Sequence, residues 1–429
     1  MKATFLYAVR YWIQAECLTP LRTGGADGDV EMVLTDFDGS LFVQGSSLAG
    51  AMRQWMEENE QQSLVESLFG SQRQSGKLIV SDAGFSPEAQ QSLRPRLRID
   101  GETGSAAPGG KFDVAQVNAG ARFSFHLTWL GMDSGEEETS AIERVLSALN
   151  VGDICLGAQK SNGFGRVKIE VKKYWYSLKN SEDREKWMDD RECGQSISLP
   201  KIQERGKVHF TLFGRADSIL VKAAVSKQTE DGRTVMKNLE EIRGTEKKLY
   251  PILPGSSIKG AIRGRAQLIV QSTGQPESLV EELFGRGAGP EDQGKPGRVR
   301  FEDVCLNMAK KKKISRIRIN RFTGGVIRGG LFQEEALCSD IRLNITAPYD
   351  QPAGCALLLY ALRDLALGLY NLGSGGAIGR GYLQVDRIEV TGAKGESAVM
   401  DFRSHDGCNI SDPDGVFSDW MQAWKEGLR

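Results

Sequence analysis

The stretch Pro254-Gly255-Ser256-Ser257-Ile258-Lys259-Gly260-Ala261-Ile262-Arg263 carries the strongest structural signal in the chain. A glycine turn and two hydroxyl residues that can cap a helix precede a helical segment with cations on its first turns. Backbone N–H groups at the start of a helix attract anions, so the stretch suits a phosphate held by Ser256, Ser257, Lys259 and Arg263. The alternative is a plain capped helix with a solvated charged face.

A second copy of this stretch, residues 44–53, lies about 210 residues earlier. It keeps Ser46, Ser47 and Arg53, but Ala49 stands where the later copy has a lysine. Further matches follow in the same order and at a nearly constant offset: residues 63–70 with 278–285, 76–83 with 297–304, 96–112 with 316–332, and 163–167 with 379–383. Ordered matches of this kind are typical of tandem domains, so the sequence predicts that one module occurs twice.

The composition places limits on the class of protein. The chain has 429 residues, 40% of them hydrophobic and 26% charged, which is typical of a soluble protein with more than one domain. A net charge of -1 argues against a uniformly basic nucleic-acid binder but allows a local basic face. Seven cysteines without a CxxC spacing indicate free thiols of a reducing compartment, and no uncharged apolar run is long enough to span a membrane. The sequence therefore predicts a cytoplasmic protein without membrane attachment.

Each half of the sequence predicts the same order of elements: strand, helix, strands, helix, strand. This is the order of a ferredoxin-like (RRM-like) α+β fold, here with an inserted hairpin. We assign residues 1–180 to the first domain, 181–205 to a charged linker and 206–403 to the second domain. Residues 404–429 form a tail with an amphipathic helix, whose apolar stripe favours packing on its own core over docking to a partner.

The Gly-rich segments 157–166 and 373–382 are a second candidate binding element. Glycine lets a backbone lie close to a polyanion, and Lys160, Arg166 and Arg380 supply positive charge. The alternative is a flexible connection into the last strand of each domain.

Two matched segments with Thr-Gly and Gly-Gly steps are predicted to project as hairpins. They carry Phe112 and Phe332, together with Arg321 and Arg328. Aromatic rings and cations in one hairpin suit the unstacked bases of a single RNA strand. The basic run Lys310–Lys313 leads into the second hairpin and favours a polyanionic partner. Packing of the hairpins on a neighbouring subunit is the alternative.

Acidic residues occur in the loop that follows the first strand of each half. Asp27 and Asp29 lie among glycines, and the Asp27-Gly28 step recurs at Asp231 in the second half. A carboxylate repels a phosphate, so these residues fit a role as ligands of a divalent cation, or in positioning the 2′-OH of an RNA. An acidic turn in solvent is the alternative. The recurring step favours Asp27 over Asp29.

In combination, these motifs resemble the RAMP superfamily. The resemblance rests on the G-S-S-x-x-G-x-x-R turns at 45–53 and 255–263, the hairpins that end in Gly-Gly-x-Phe, and the Gly-Phe-Gly-Arg and Gly-Arg-Gly-Tyr ends. The motifs occur once in each half, and together the two sets cover nearly the whole chain. The chain most closely resembles the tandem (fused) backbone subunits of type III CRISPR effector complexes of the III-D branch.

The resemblance implies a subunit that binds guide RNA. In this superfamily the GSS helix and the Gly-rich loop bind the guide backbone, and the hairpin is a thumb that kinks the guide–target duplex. An Asp in the loop after the first strand cleaves target RNA with a divalent metal, expected to be Mg²⁺. The matching residue here is Asp27, with Asp29 as the reserve and as a second metal ligand, and with Asp231 in the second half.

We therefore predict a subunit that binds guide RNA and cleaves complementary target RNA at its first half. Its expected partners are guide RNA, target RNA and other CRISPR effector subunits. Two alternatives remain open: a non-catalytic RNA-binding scaffold, and a RAMP endonuclease that matures guide RNA alone. The chain has only three histidines, which argues against the maturation enzyme.

Overall fold

The computed structural model describes residues 5–24, 33–101, 103–190, 192–202, 206–222, 227–228, 234–243, 248–287, 293–404 and 407–427. The predicted acidic residues Asp27, Asp29 and Asp231 lie outside these ranges.

The first half contains an antiparallel sheet and the helices that cover it. Its elements are β1 (Tyr7–Cys17), β2 (Phe42–Val43), α1 (Gly45–Asn59), α2 (Gln62–Phe69), β3 (Leu78–Val80), β4 (Ala83–Phe85), β5 (Gln91–Ile99), β6 (Ala106–Val117), β7 (Arg122–Gly131), α3 (Glu136–Val151), a 3₁₀ turn (Lys160–Asn162), β8 (Val167–Ser177), α4 (Ser181–Asp189) and β9 (Gln195–Ser196). The strand order is β2-β4-β7-β1-β8-β9, with β3 also paired to β7. Strand β1 is central because it pairs with β7 on one side and β8 on the other. Its buried residues alternate, so Ile13 lies opposite Phe125 and Val171 on one apolar face.

The second half repeats this arrangement. Its elements are β10 (Lys207–Ile219), β11 (Lys227–Gln228), β12 (Thr234–Met236), β13 (Glu240–Ile242), β14 (Leu249–Leu253), α5 (Gly255–Thr273), α6 (Ser278–Phe284), β15 (Gly285–Arg286), β16 (Lys295–Pro296), β17 (Arg300–Phe301), β18 (Val304–Cys305), β19 (Lys310–Ile319), β20 (Val326–Pro348), α7 (Pro352–Ala366), a 3₁₀ turn (Gly376–Ile378), β21 (Leu383–Thr391), β22 (Ser397–Asp401), β23 (Asn409–Ser411) and α8 (Val416–Glu426). The strand order is β11-β12-β20-β10-β21-β22-β23, with β17 and β19 also on β20. Strand β10 therefore occupies the place that β1 has in the first half.

Each half has its own apolar core. In the first core Leu48 and Met52 of α1 pack with Leu146 of α3, and in the second core Ile258 of α5 packs with Leu358 of α7. Full burial of such a side chain contributes roughly 1.5–3 kcal/mol. The helices that begin at the two GSS stretches are thus fixed to their sheets by their apolar faces.

The segment predicted as a charged linker contains regular structure. Ser181–Asp189 form α4, and Gln195–Ser196 form β9, which pairs with β8 of the first sheet. Ile197, Leu199 and Ile202 pack on the first core, so these residues extend the first half. In the C-terminal tail, Trp420 and Trp424 of α8 are buried in the second core, so this stripe packs on its own chain.

Two further observations concern the cysteines and the helices. All seven cysteines are free thiols. Within the part of the chain that the structure describes, no helix is both long and apolar enough to cross a membrane.

The two halves meet along a closely packed seam. Gly163 of the first half and Gly255 of the second both lie against the carbonyl oxygen of Phe301, which would be only 2.4 and 2.3 Å from an added Cβ. Only glycine fits so close to another backbone. At the buried edge of the seam, Nε and Nη2 of Arg94 each donate to Glu241 at 2.6 Å, and Nη2 donates to Asp303 at 2.8 Å. The seam is therefore a specific joint between the halves.

Candidate nucleic-acid interface

Each of the two GSS helices has an aspartate at its start. Oδ1 of Asp82 accepts a hydrogen bond from the amide of Gly45 at 2.6 Å, and Oδ1 of Asp303 accepts one from Gly255 at 2.7 Å. A carboxylate at this position stabilises the helix through its positive end. The amides of Gly45 and Gly255 thus already donate to carboxylates, which would repel a phosphate at the same point. Phosphate binding by the other N–H groups and the side chains of these helix starts stays a prediction.

Lys259 lies at the centre of a basic cluster that both halves build. Its Nζ donates to Ser161 Oγ at 3.0 Å, so the side chain reaches from α5 to the 3₁₀ turn of the first half. Burial, followed by the positive charges of Arg263 and Arg96, lowers the pKa of Lys259 to about 8. Every neighbouring charge that shifts this pKa is positive, so an anion bound here would relieve repulsion among the cations.

The predicted residues near this cluster come from both halves. Ser256 and Ser257 are half-buried at the start of α5, one turn from Lys259. Lys160 is exposed on the same 3₁₀ turn as Ser161. The structure thus brings four of the predicted RNA-binding positions and Arg263 to one region of the seam.

The first GSS helix has a different environment. Ser46 and Ser47 are exposed at the start of α1, and Nε of Arg53 donates to Glu57 at 2.8 Å. Ala49 provides no charge where the second half has a lysine. Arg53 is therefore balanced by a carboxylate on its own helix, and the basic cluster that both halves build surrounds the second GSS helix and not the first.

The arginines of the two Gly-rich ends are occupied by carboxylates. Arg166 pairs with Glu302 across the seam, and Arg380 is buried and pairs with Glu334. Their predicted contact with RNA stays a prediction, but the structure gives both guanidinium groups a protein partner. The glycines also have a local reason: a Cβ on Gly165 or Gly381 would lie about 2 Å from a carbonyl oxygen of the chain itself.

The predicted hairpins are formed by β5–β6 and β19–β20. Phe112 is 48% exposed on the first hairpin, whereas Phe332 is half-buried with the Arg316 guanidinium 5.4 Å from its ring centre. Arg321 and Arg328 are exposed near the turn of the second hairpin. These residues lie along the hairpins and not at the helix starts, so they form a separate candidate surface.

A family model described as the RAMP superfamily matches residues 14–168 and 240–384, which together make up more than half of the chain. The chain belongs to the RAMP superfamily. The two matched regions fall one in each half, in agreement with the tandem organisation that the sequence predicts.

Among solved structures, this RAMP protein is similar to a chain in a cryo-EM structure of the type III-B Cmr-beta bound to cognate target RNA. The sequence identity is 13% and the TM-score is 0.34. The match covers 40% of this chain and 62% of that chain, which is less than two thirds of its length. No match was found among curated proteins.

The predicted catalytic residues of this RAMP protein, Asp27, Asp29 and Asp231, lie outside the described residues. Within the described ranges, no group of three His, Cys, Asp or Glu side chains is arranged to hold a metal ion.

Sequence reasoning missed two residues of the seam, Arg94 and Arg96. Arg96 has a visible signal, because the repeat places Arg316 at the same position. Arg94 has none of this kind, because its counterpart in the second half is Ile314. Its role comes from the joint between the halves, which a comparison of one half with the other does not reveal.

Proposed function

We propose that this RAMP protein is a guide-RNA-binding backbone subunit of a type III CRISPR effector complex. The observation that carries the proposal is the basic cluster of Lys259, Arg263 and Arg96 at the joint between the two matched regions. A phosphodiester placed there would receive charge-assisted hydrogen bonds from several donors. Ser256 and Ser257 add hydroxyl donors beside it.

The fold proposed for each half is ferredoxin-like, with the hairpins as thumbs. The support is the strand order, in which β1 lies between β7 and β8 and β10 lies between β20 and β21, all antiparallel. The exposed apolar and aromatic residues of the hairpins, such as Phe112 and Phe322, support contact with nucleic acid or a second subunit.

Other effector subunits are the proposed protein partners, and the asymmetry of the seam supports this. In the second half Asp303 is buried against Arg94 of the first half. The corresponding Asp82 of the first half is exposed, next to an exposed helix start. The surface around Asp303 is therefore buried in the seam, whereas the corresponding surface around Asp82 of the first half is exposed and could contact another subunit.

Cleavage of target RNA is the finer part of the proposal. The superfamily resemblance assigns it to Asp27, with Asp29 and Asp231 as further candidates and Mg²⁺ as the metal. Bound Mg²⁺ would stabilise negative charge on the scissile phosphate, and the carboxylates in the loop would help to hold it. We also propose a cytoplasmic location, which the free cysteines support.

Replacement of Lys259 and Arg263 by Gln should weaken binding of single-stranded RNA to the purified full chain by roughly 10-fold or more. The physical reason is the loss of two cations from a cluster that balances phosphate charge. The dependence of log affinity on log salt concentration should become shallower by about 0.7 per lost phosphate contact. Fluorescence anisotropy with a labelled RNA measures both quantities.

The matched control is Arg53→Gln, at the corresponding position of the first half. Because Arg53 already pairs with Glu57, its loss should change the affinity less than about 3-fold. Equal losses of RNA affinity in the two sets of variants would contradict RNA binding centred on the second GSS helix. If neither set lowered the affinity, the main support for guide binding would be lost.

RNA binding should also weaken as the pH rises from 7 to 9. The pKa of Lys259 is about 8 in the free protein, so the lysine loses its proton in this range, whereas a bound phosphate favours the charged form. Lys259→Arg should remove the decline, because arginine stays charged. The folding stability of the RNA-free protein should change with pH in the opposite direction. The pKa of Lys259 is lower in the folded chain than in the unfolded chain, so above pH 8 the unfolded chain binds more protons. The contribution of Lys259 to the free energy of unfolding therefore rises with pH in this range. The same pH profile in wild type and Lys259→Arg would refute this assignment.

A further inference from the structure

A cavity of about 270 Å³ opens at the seam on the side of the second sheet that faces away from its core. Its wall includes Arg166 from the first half and Arg300 and Arg342 from the second. It shares no residue with the basic cluster around Lys259. The cavity is a distinct feature of the joint between the halves.

The cations of this cavity exceed its anions. The carboxylate of Glu302 is engaged by Arg166 and accepts from Asn344 Nδ2 at 3.1 Å. Neither Arg300 nor Arg342 has a carboxylate partner among the residues that the structure describes. Two positive charges thus face a cavity whose acidic side chain is already in use.

Arg300 and Arg342 are held in place by neighbours that carry no opposite charge. Nη1 of Arg300 donates to the carbonyl of Gly152 at 2.8 Å and contacts Cys155 Sγ at 2.9 Å. Arg342 lies opposite Phe213 on the adjacent strand, with its guanidinium carbon 5.3 Å from the ring centre. Both guanidinium groups are therefore positioned before any ligand binds.

A further cation, Lys207, lies close to Arg300 beside the cavity. Lys207 contacts Asp153, yet burial and then the charge of Arg300 lower the pKa of Lys207 to about 8. The remaining wall is mixed: Val151, Phe210 and Ile345 are apolar, whereas Thr211, Asn344, His209 and Thr346 carry hydrogen-bonding groups. Such a cavity selects a compact anion over an apolar ligand.

We propose that this seam cavity binds a terminal phosphate group, of a free nucleotide or of an RNA end. A phosphomonoester carries a charge of about −1.5 to −2 at neutral pH, which matches the two unbalanced arginines. An internal phosphodiester carries a single charge and matches them less well. Arg342 and Arg300 hold the phosphate oxygens, and because the cavity is walled by both halves, the ligand also stabilises the joint.

The test uses the purified full chain and compares inorganic phosphate, AMP, and one RNA oligonucleotide with either a 5′-phosphate or a 5′-hydroxyl. Isothermal titration and thermal unfolding measure binding. AMP or the 5′-phosphorylated RNA should bind and raise the melting temperature, and Arg342→Gln should weaken this binding about 10-fold or more. Arg342 is exposed, so its replacement leaves the core intact.

The matched control is Arg215→Gln, an exposed arginine of the same sheet that pairs with Asp217 and does not line the cavity. Arg215→Gln should leave the binding of AMP and of 5′-phosphorylated RNA unchanged. Lys259→Gln should leave AMP binding unchanged, which distinguishes the seam cavity from the RNA-binding cluster around Lys259. A 5′-phosphate preference that depends on Arg342 assigns the cavity to RNA ends. Dependence on Arg342 for AMP but not for RNA assigns it to free nucleotides. Absence of binding by phosphate, AMP and 5′-phosphorylated RNA, or equal binding by Arg342→Gln, overturns the proposal.

Discussion

Replacement of Arg94 by Leu is expected to lower the free energy of unfolding by about 3–5 kcal/mol, because it leaves Glu241 and Asp303 as uncompensated buried charges. The Arg94 side chain is 1% exposed, and its guanidinium binds both carboxylates across the seam. The change should also separate the unfolding of the two halves into two transitions, since it removes the buried link between them. Chemical denaturation followed by circular dichroism measures both effects.

Arg98→Leu is the control for this prediction, since Arg98 lies on the same hairpin strand but is exposed. Glu241→Gln added to Arg94→Leu should recover part of the lost stability, because one of the two unpaired charges is removed. Asp303 is better kept, since it also caps α5 through the amide of Gly255. If Arg94→Leu and Arg98→Leu were equally stable, the buried ion pair would not hold the halves together.

Asp27→Ala in the assembled complex is expected to slow cleavage of target RNA by roughly 100-fold or more at the positions served by the first half. The reason is that we propose this carboxylate as a ligand of the divalent cation at the scissile phosphate. Guide binding should be unaffected, since the basic cluster around Lys259 is unchanged. Cleavage products resolved by length identify which positions are lost.

Asp29→Ala and Asp231→Ala complete this experiment, because they test the reserve residue and the second half. Asp38→Ala is the matched control, an exposed aspartate in the turn that follows the same loop. Loss of cutting at a different set of positions in Asp231→Ala would indicate a second centre. Unchanged cutting by all three variants would leave the protein as a non-catalytic scaffold.

Much of the fold is predictable from the sequence because the repeat is internal. Glycines at corresponding positions have the same structural role in both halves. Gly165 and Gly381 each lie against a backbone carbonyl at a positive φ, and Gly45 and Gly255 each begin a helix in close contact with another backbone. Physical constraints of this kind act on single positions, so they remain visible when the halves are aligned. Strand β9 is not predictable from the sequence, because it is only two residues long and depends on β8 for its hydrogen bonds.

The candidate site is less predictable, because it depends on contacts between the halves. Lys259 is visible as a cation after a helix start, but its lowered pKa requires burial against the first half and the charge of Arg96. The pairing of Arg380 with Glu334 is equally hidden, since the two residues come together only in the folded second half. A residue type shows what a side chain can bind, and tertiary structure decides which partner it has.

The uneven exposure of Asp82 and Asp303 gives the molecule a polarity. In the first half the carboxylate of Asp82, which accepts from the Gly45 amide, is exposed, whereas the corresponding carboxylate of Asp303 is buried. A chain built this way has a head that differs from its tail, so copies joined by the same kind of contact would all point in one direction. Because each polypeptide arrives with one such joint already made, any array would lengthen in steps of two modules.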